Sequence, residues 1–224
     1  MIALRTRFAG FLGRLGRNQS GVAFLEFALL FPILMFLGMY GIELARMSMI
    51  TMRVSQIALA VADNASRMEQ TNNSAVAPTV TEADITSVLI GATKEGAGFN
   101  FAGNGRVVLT SLEKHPTSSK QYIHWQRCIG SLAKASKYGN ETTLNGINGP
   151  TITSLGSGAT KAIAPDNMGV MFVEVYYKYS GIFGAMFVQD TVFKQEAAYI
   201  VRDIRDYRHN QTPVVTPSGT KSGC

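Results

Sequence analysis

The stretch Gly21-Val-Ala-Phe-Leu-Glu26-Phe27-Ala-Leu-Leu-Phe-Pro32-Ile-Leu34 opens a long apolar run that continues to Ile42. Val22 to Ile42 is 21 residues with a single charge, Glu26, and no Lys or Arg. A helix of that length rises about 31 Å, enough to cross a hydrocarbon core of roughly 30 Å. Arg5, Arg7, Arg14 and Arg17 precede the run, and no acid occurs in residues 1–20. A basic flank holds its side of a membrane in the cytoplasm, so everything after Ile42 is expected outside. Glu26 is the anomaly. A carboxylate at mid-membrane costs about 2.5–3.5 kcal/mol, less near the interface, so it calls for a cationic partner.

Beyond the apolar run the helix has no reason to stop. From Glu43 to Gln70 there is no Pro or Gly, and apolar residues recur at Met47, Ile50, Val54, Ile57, Val61, Ala65 and Met68. Steps of three and four place them on one stripe, with Arg46, Arg53, Gln56, Asp63, Arg67 and Glu69 between. The spacing predicts one helix from about Val22 to about Gln70. The polar stretch 71–78 breaks it. Thr81 followed by Asp84 signals a short helix through about Ile90, closed by Gly91, Gly96 and Gly98. Strand-like runs follow at Arg106–Leu112, Gln121–Ile129, Gly169–Tyr179 and Thr191–Arg202. Residues 130–167, rich in Gly, Thr and Asn, read as surface loops with one short helix near Ser131–Lys137. Four strands with one apolar face each need a cover, and the stripe from Met47 to Met68 supplies it. The predicted class is α+β: a long N-terminal helix packed on an antiparallel sheet of about four strands. Residues 208–224, with Pro213 and Pro217, are expected to form a flexible tail unless Cys224 is tied down.

A glycine, four residues, then Glu followed by an aromatic and an apolar helix resembles the processing pattern of type IV prepilins. With Glu26–Leu34 and Gly41-Ile-Glu-Leu-Ala-Arg46, the chain is most similar to the TadE-like minor pilins, or pseudopilins, of the tight-adherence (Tad) system. The motif covers about a fifth of the chain; Val173-Glu-Val-x-Tyr177 and Arg202 add a weaker likeness. The resemblance implies a prepilin peptidase that cuts after Gly21, leaving Val22 as the new N-terminus. It further implies that Glu26 and Phe27 serve peptidase recognition and subunit alignment. The domains would be a cytoplasmic leader (1–21), a transmembrane helix (22–42), its periplasmic extension (43–70), an α+β head (71–207) and the tail. The implied partners are the peptidase, other minor and major pilins, the inner-membrane assembly platform and the lipid bilayer. The implied location is the bacterial inner membrane, N-terminus cytoplasmic, head periplasmic. The rival reading is an uncleaved single-span scaffold of a pilus or secretion apparatus, with Glu26 snorkelling to the headgroups.

The chemistry fits the spacing. Cleavage would give Val22 a positive amine, and Glu26 lies one turn further on the same face. A carboxylate near a helix N-terminus is also favoured by the helix dipole. The formal charge of +6 suggests nucleic acid at first sight, but taking away the leader's four arginines leaves +2, and no basic run with interleaved aromatics remains. Nucleic-acid binding is therefore not expected. Cys128 and Cys224 are compatible with one disulfide in an oxidising compartment and equally with two free thiols. His124 and Cys128 lie four apart, about 13 Å along a strand, too far to share a zinc ion. No phosphate loop, His-Glu-x-x-His or Gly-x-Ser-x-Gly occurs. No catalytic residues, metal or cofactor are expected.

Overall fold

The computed structural model describes residues 21–68, 80–158, 161–202, 205, 207 and 215–224. The leader up to Ser20, the end of the expected helix at 69–70 and the breaker at 71–78 lie outside these. The chain divides into two compact units at Arg46/Met47. One helix, α1 (Val22–Ser66), contributes to both. In the first unit its apolar side chains are exposed on every side from Gly21 to Gly38. Phe24 (75 % exposed), Leu29 (65 %) and Leu34 (63 %) are typical.

The second unit is built on a four-stranded, wholly antiparallel sheet: β1 (Gly105–Lys114), β2 (Gln121–Ile129), β3 (Val170–Tyr179) and β4 (Thr191–Ile200), in the order β2-β1-β3-β4. A bulge between Ser111 and Leu112 shifts the β1/β2 register. One face is covered as the sequence predicts. Ile50, Val54, Ile57, Val61 and Ala65 of α1 are buried with Val107, Leu109, Trp125, Met171, Val173, Val175 and Tyr177 of the sheet. Each fully buried Ile or Val removes enough apolar surface to contribute about 1.5–3 kcal/mol, so this stripe is a main source of the head's stability. α1 ends at Ser66, where the chain turns to use its last carbonyls. Arg205 Nη2 donates to Ala65 O at 2.6 Å and Arg202 N–H to Ser66 O at 3.0 Å. A buried guanidinium at a helix C-terminus also complements the dipole.

The second helix, α2 (Glu82–Glu95), starts at the predicted cap. Thr81 Oγ1 accepts from Asp84 N–H at 3.2 Å, and the Asp84 side chain accepts from Thr81 N–H. It runs through Gly91 and ends at Glu95, five residues past the predicted end near Ile90, with Gly96, the second of the three predicted closing glycines, as its cap. A Cβ on Gly91 would meet nothing within 4 Å, whereas one on Gly96 would sit 2.2 Å from Phe101 Cβ. The glycine that matters is the one where α2 meets a short helix, α3 (Phe101–Asn104). There Phe99 and Phe101 pack against Tyr177, whose hydroxyl donates to Phe99 O at 2.7 Å.

The other face of the sheet departs from expectation. No helix forms at 131–137, and the described residues of 130–168 form a second covering layer. Leu155 and Ala164 are buried against Leu112, Val170 and Phe172. A covering layer without periodicity satisfies its backbone with side chains instead: Asn140 Oδ1 accepts from the N–H groups of Thr142, Thr143 and Leu144.

Candidate processing site and the head's polar clusters

Gly21 leads into α1, and a Cβ there would meet nothing within 4 Å. Val22 is 53 % exposed, Phe27 is 57 % exposed, and Glu26 is exposed one turn along the same helix. The rise from Val22 to Glu26 is about 6 Å, which puts a carboxylate within side-chain reach of any amine created at Val22. Phe27 and Phe31, also four apart, meet with tilted rings, centroids 5.3 Å apart. Gly38 and Gly41 have open space around them. The segment thus offers an unhindered glycine, an acid one turn in, and an apolar surface on all sides. Among the described residues, α1 is the one helix long and apolar enough to cross a membrane.

The two cysteines, 96 residues apart, are joined as a disulfide with Cα atoms 5.0 Å apart. Cys224 is therefore tied down, the condition under which the tail expected to be flexible over 208–224 is held, and the chain beyond Val215 is not free. Thr216 bridges to Thr81, Ser218 Oγ accepts from Ala83 N–H at 3.2 Å, and Ser222 O accepts from Cys128 N–H at 2.9 Å. Residues 208–214 lie outside the described ones. Beside the disulfide, Arg127 is buried between two carboxylates. Its guanidinium donates to Glu82 at 2.5–3.1 Å and to Glu141 at 2.8 Å, and Glu141 also takes Lys221 at 2.7 Å. Burial alone would lower the Arg127 pKa, but the two carboxylates outweigh it and the net shift is upward.

A second cluster lies under the covering layer. Glu174, fully buried in the middle of β3, accepts from Ser136 Oγ (2.5 Å), Lys137 N–H (3.2 Å) and Tyr176 OH (2.7 Å), and pairs with Lys194 at 3.2 Å. Lys194 also pairs with Glu196, which accepts from Tyr138 OH at 2.6 Å and Ser157 N–H at 2.7 Å. Burial pushes the Glu196 carboxyl up, but Lys194, Tyr138 and Ser157 overcome it and hold it at about 2. Burial beside Glu174 raises the Tyr176 hydroxyl. The cluster ties β3 and β4 to the covering layer through Ser136, Lys137, Tyr138 and Ser157.

The third cluster is on β1 and β2. Glu113 accepts from Ser111 Oγ at 2.8 Å and contacts His124 Nδ1 at 2.8 Å and Tyr122 OH at 3.4 Å. Burial and Glu113 push the Tyr122 phenol up. Ser111 and His124 both turn to Glu113, so the hydroxyl has the carboxylate as its partner. Cys128 is oxidised in the disulfide, and His124 meets Glu113 through Nδ1, leaving its buried Nε2 without a hydrogen-bond partner among the described residues. No group of three His, Cys, Asp or Glu that could hold a metal occurs among the described residues.

The sequence singled out Gly21, which immediately precedes α1, Val22, Glu26 and Phe27, which share its first two turns, and Cys128 and Cys224, which meet. It missed the ion clusters. The signal for the burial of Glu174 is a lone acid between Val173 and Val175 with Tyr176 adjacent. Compared with known proteins, the chain matches no family model, no curated protein and no solved structure.

Proposed function

We propose that this chain is a minor pilin or pseudopilin subunit of a Tad-type (type IV) pilus. A prepilin peptidase cuts it after Gly21, it sits in the inner membrane through Val22–Ile42, and its head lies in the periplasm. One observation carries the reading: Gly21, Val22, Glu26 and Phe27 stand together at the exposed start of an apolar helix that continues unbroken to Ser66. Cleavage there releases the amine that Glu26 requires in lipid, and subunits associate side by side through the apolar segment, guided by that pair. The Cys128–Cys224 bond supports an oxidising compartment for the head. The four arginines before the run support a cytoplasmic leader.

The reading is tested by Glu26→Gln in cells carrying the matching assembly machinery. Variant molecules that are cut after Gly21, identified by intact mass, should fail to cross-link to other pilins through their helix. Incorporation equal to wild type would contradict the role of the carboxylate and leave the chain as a single-span scaffold.

A further inference from the structure

The sheet has a hairpin tip at each end, and the two tips differ in composition. Gly105 faces Tyr177 and Leu112 faces Val170, so the β1–β2 and β3–β4 tips stand at opposite ends of strands about 33 Å long. The β1–β2 tip, residues 115–120, reads His-Pro-Thr-Ser-Ser-Lys. The β3–β4 tip, residues 181–188, reads Gly-Ile-Phe-Gly-Ala-Met-Phe-Val, with no charged residue and no polar side chain. Ile182 and Met186 are 46 % and 67 % exposed, and the rings of Phe183 and Phe187 meet edge to face with centroids 5.9 Å apart. Gly184 turns the chain at a φ of 64°, its N–H donating to Gly181 O at 3.3 Å. At the base of the tip Lys178 pairs with Asp190 at 2.6 Å. A contiguous apolar tip bounded by an ion pair marks a contact surface.

The apolar tip stands at the end where the chain enters the head. At the other end Arg205 joins Ala65 O to Met171 Sδ, so α1 closes beside the start of β3. Arg53 Nη1 lies 4.0 Å from where a Cβ on Gly98 would be, and Phe99 O accepts from Tyr177 OH, so Arg53 is level with the close of β3. Met47, six residues earlier, packs on the same core as Val188 of the tip. Met47 follows Ile42, the last residue of the apolar run, by five residues: about 7.5 Å in a helix, and at most about 18 Å fully extended. That reach holds at any angle between the run and the head.

We propose that the β3–β4 tip is a second lipid anchor, with Ile182, Phe183, Met186 and Phe187 dipping into the bilayer surface from which the chain emerges. Lys178 and Asp190 stay among the headgroups. Lipid is the occupant for two reasons. The short tether makes contact with the bilayer intramolecular, so a weak affinity suffices, and the tip at the opposite end of the sheet, beyond that reach, is polar. Entry is shallow, because backbone groups of an irregular turn cannot be left in hydrocarbon. The proposal rests on the membrane reading of Val22–Ile42 given above.

The test places the full chain, one copy per disc, in nanodiscs of phosphatidylcholine and phosphatidylglycerol, with a thiol-linked fluorophore at Met186→Cys, Ser118→Cys or Leu34→Cys. Cys128 and Cys224 are bonded to each other, so each variant has one free thiol. An interfacial contact reaches about 5–10 Å into the headgroup and acyl boundary. Nitroxide on the upper acyl chain should therefore quench the Met186 reporter several-fold more than the Ser118 reporter, and aqueous iodide several-fold less. Nitroxide at the acyl end should act mainly on Leu34. Adding Ile182→Asp should return the Met186 reporter to the Ser118 values, while Ile182→Leu should leave it inserted. Equal quenching at Met186 and Ser118, with Leu34 quenched, overturns the anchor and leaves the membrane helix standing. Absence of lipid quenching at Leu34 removes the membrane helix and the anchor with it. Shielding at Met186 that appears only with two copies per disc also overturns the proposal, by assigning the tip to a second chain.

Discussion

Removing the Cys128–Cys224 bond should weaken the head severely while leaving its folded structure in place. In the chain-entropy account, a bond closing a loop of 96 residues destabilises the unfolded state by about 4–5 kcal/mol. A domain of ordinary stability has about 5–15 kcal/mol in total, so a third or more is at stake. The tail keeps its other ties in the reduced protein: Thr216 to Val80 and Glu82, Ser222 to Cys128 N–H, Lys221 to Glu141. The folded state therefore changes little, and the loss arises almost wholly from the freer unfolded chain. Trp125, the one tryptophan, is 4 % exposed in the core and reports unfolding by fluorescence. With a urea dependence of about 2 kcal/mol per molar, Cys224→Ser or added reductant should lower the midpoint by about 2 M. Coincident midpoints for oxidised and reduced protein would refute the loop-closure reasoning. Two thiols reactive toward alkylation in the folded, unreduced chain would refute the bond itself.

Other consequences follow from the buried charges. Glu82→Gln leaves Arg127 buried with a single carboxylate, and should cost about 3 kcal/mol in the same urea assay; a change under about 1 kcal/mol would show that Glu141 alone suffices. Glu196, held near 2 when folded, binds fewer protons than it does unfolded. Its contribution is thus present above its unfolded value near 4.5 and is lost as pH falls toward 2. Stability of the wild type should drop through that window more steeply than that of Glu196→Gln, and parallel curves would contradict the assignment.

The helix-and-sheet architecture was readable because its signals are periodic. The stripe from Met47 to Met68 and the alternation around Val173 each point one way, and the structure buries those faces against each other. The second covering layer was not readable. Residues 130–168 carry no period, and their anchors are single side chains such as Ser136 and Tyr138, whose partners Glu174 and Glu196 are distant in sequence. The end of α2 reads short for a related reason: Gly91 and Gly96 look alike in sequence, and only the approach of Phe101 distinguishes them. For the tail, composition reports flexibility and the sequence could only name the exception, a tied Cys224, which the Cys128–Cys224 bond meets. The candidate processing motif is a matter of sequence alone, since Gly21, Val22, Glu26 and Phe27 lie within seven consecutive residues.

The most direct measurement is the intact mass of the chain recovered from membranes of cells that express the matching prepilin peptidase. The account predicts a species beginning at Val22, lost when Gly21 is changed to Leu. Full-length protein beginning at Met1 in cells that assemble working filaments would contradict it.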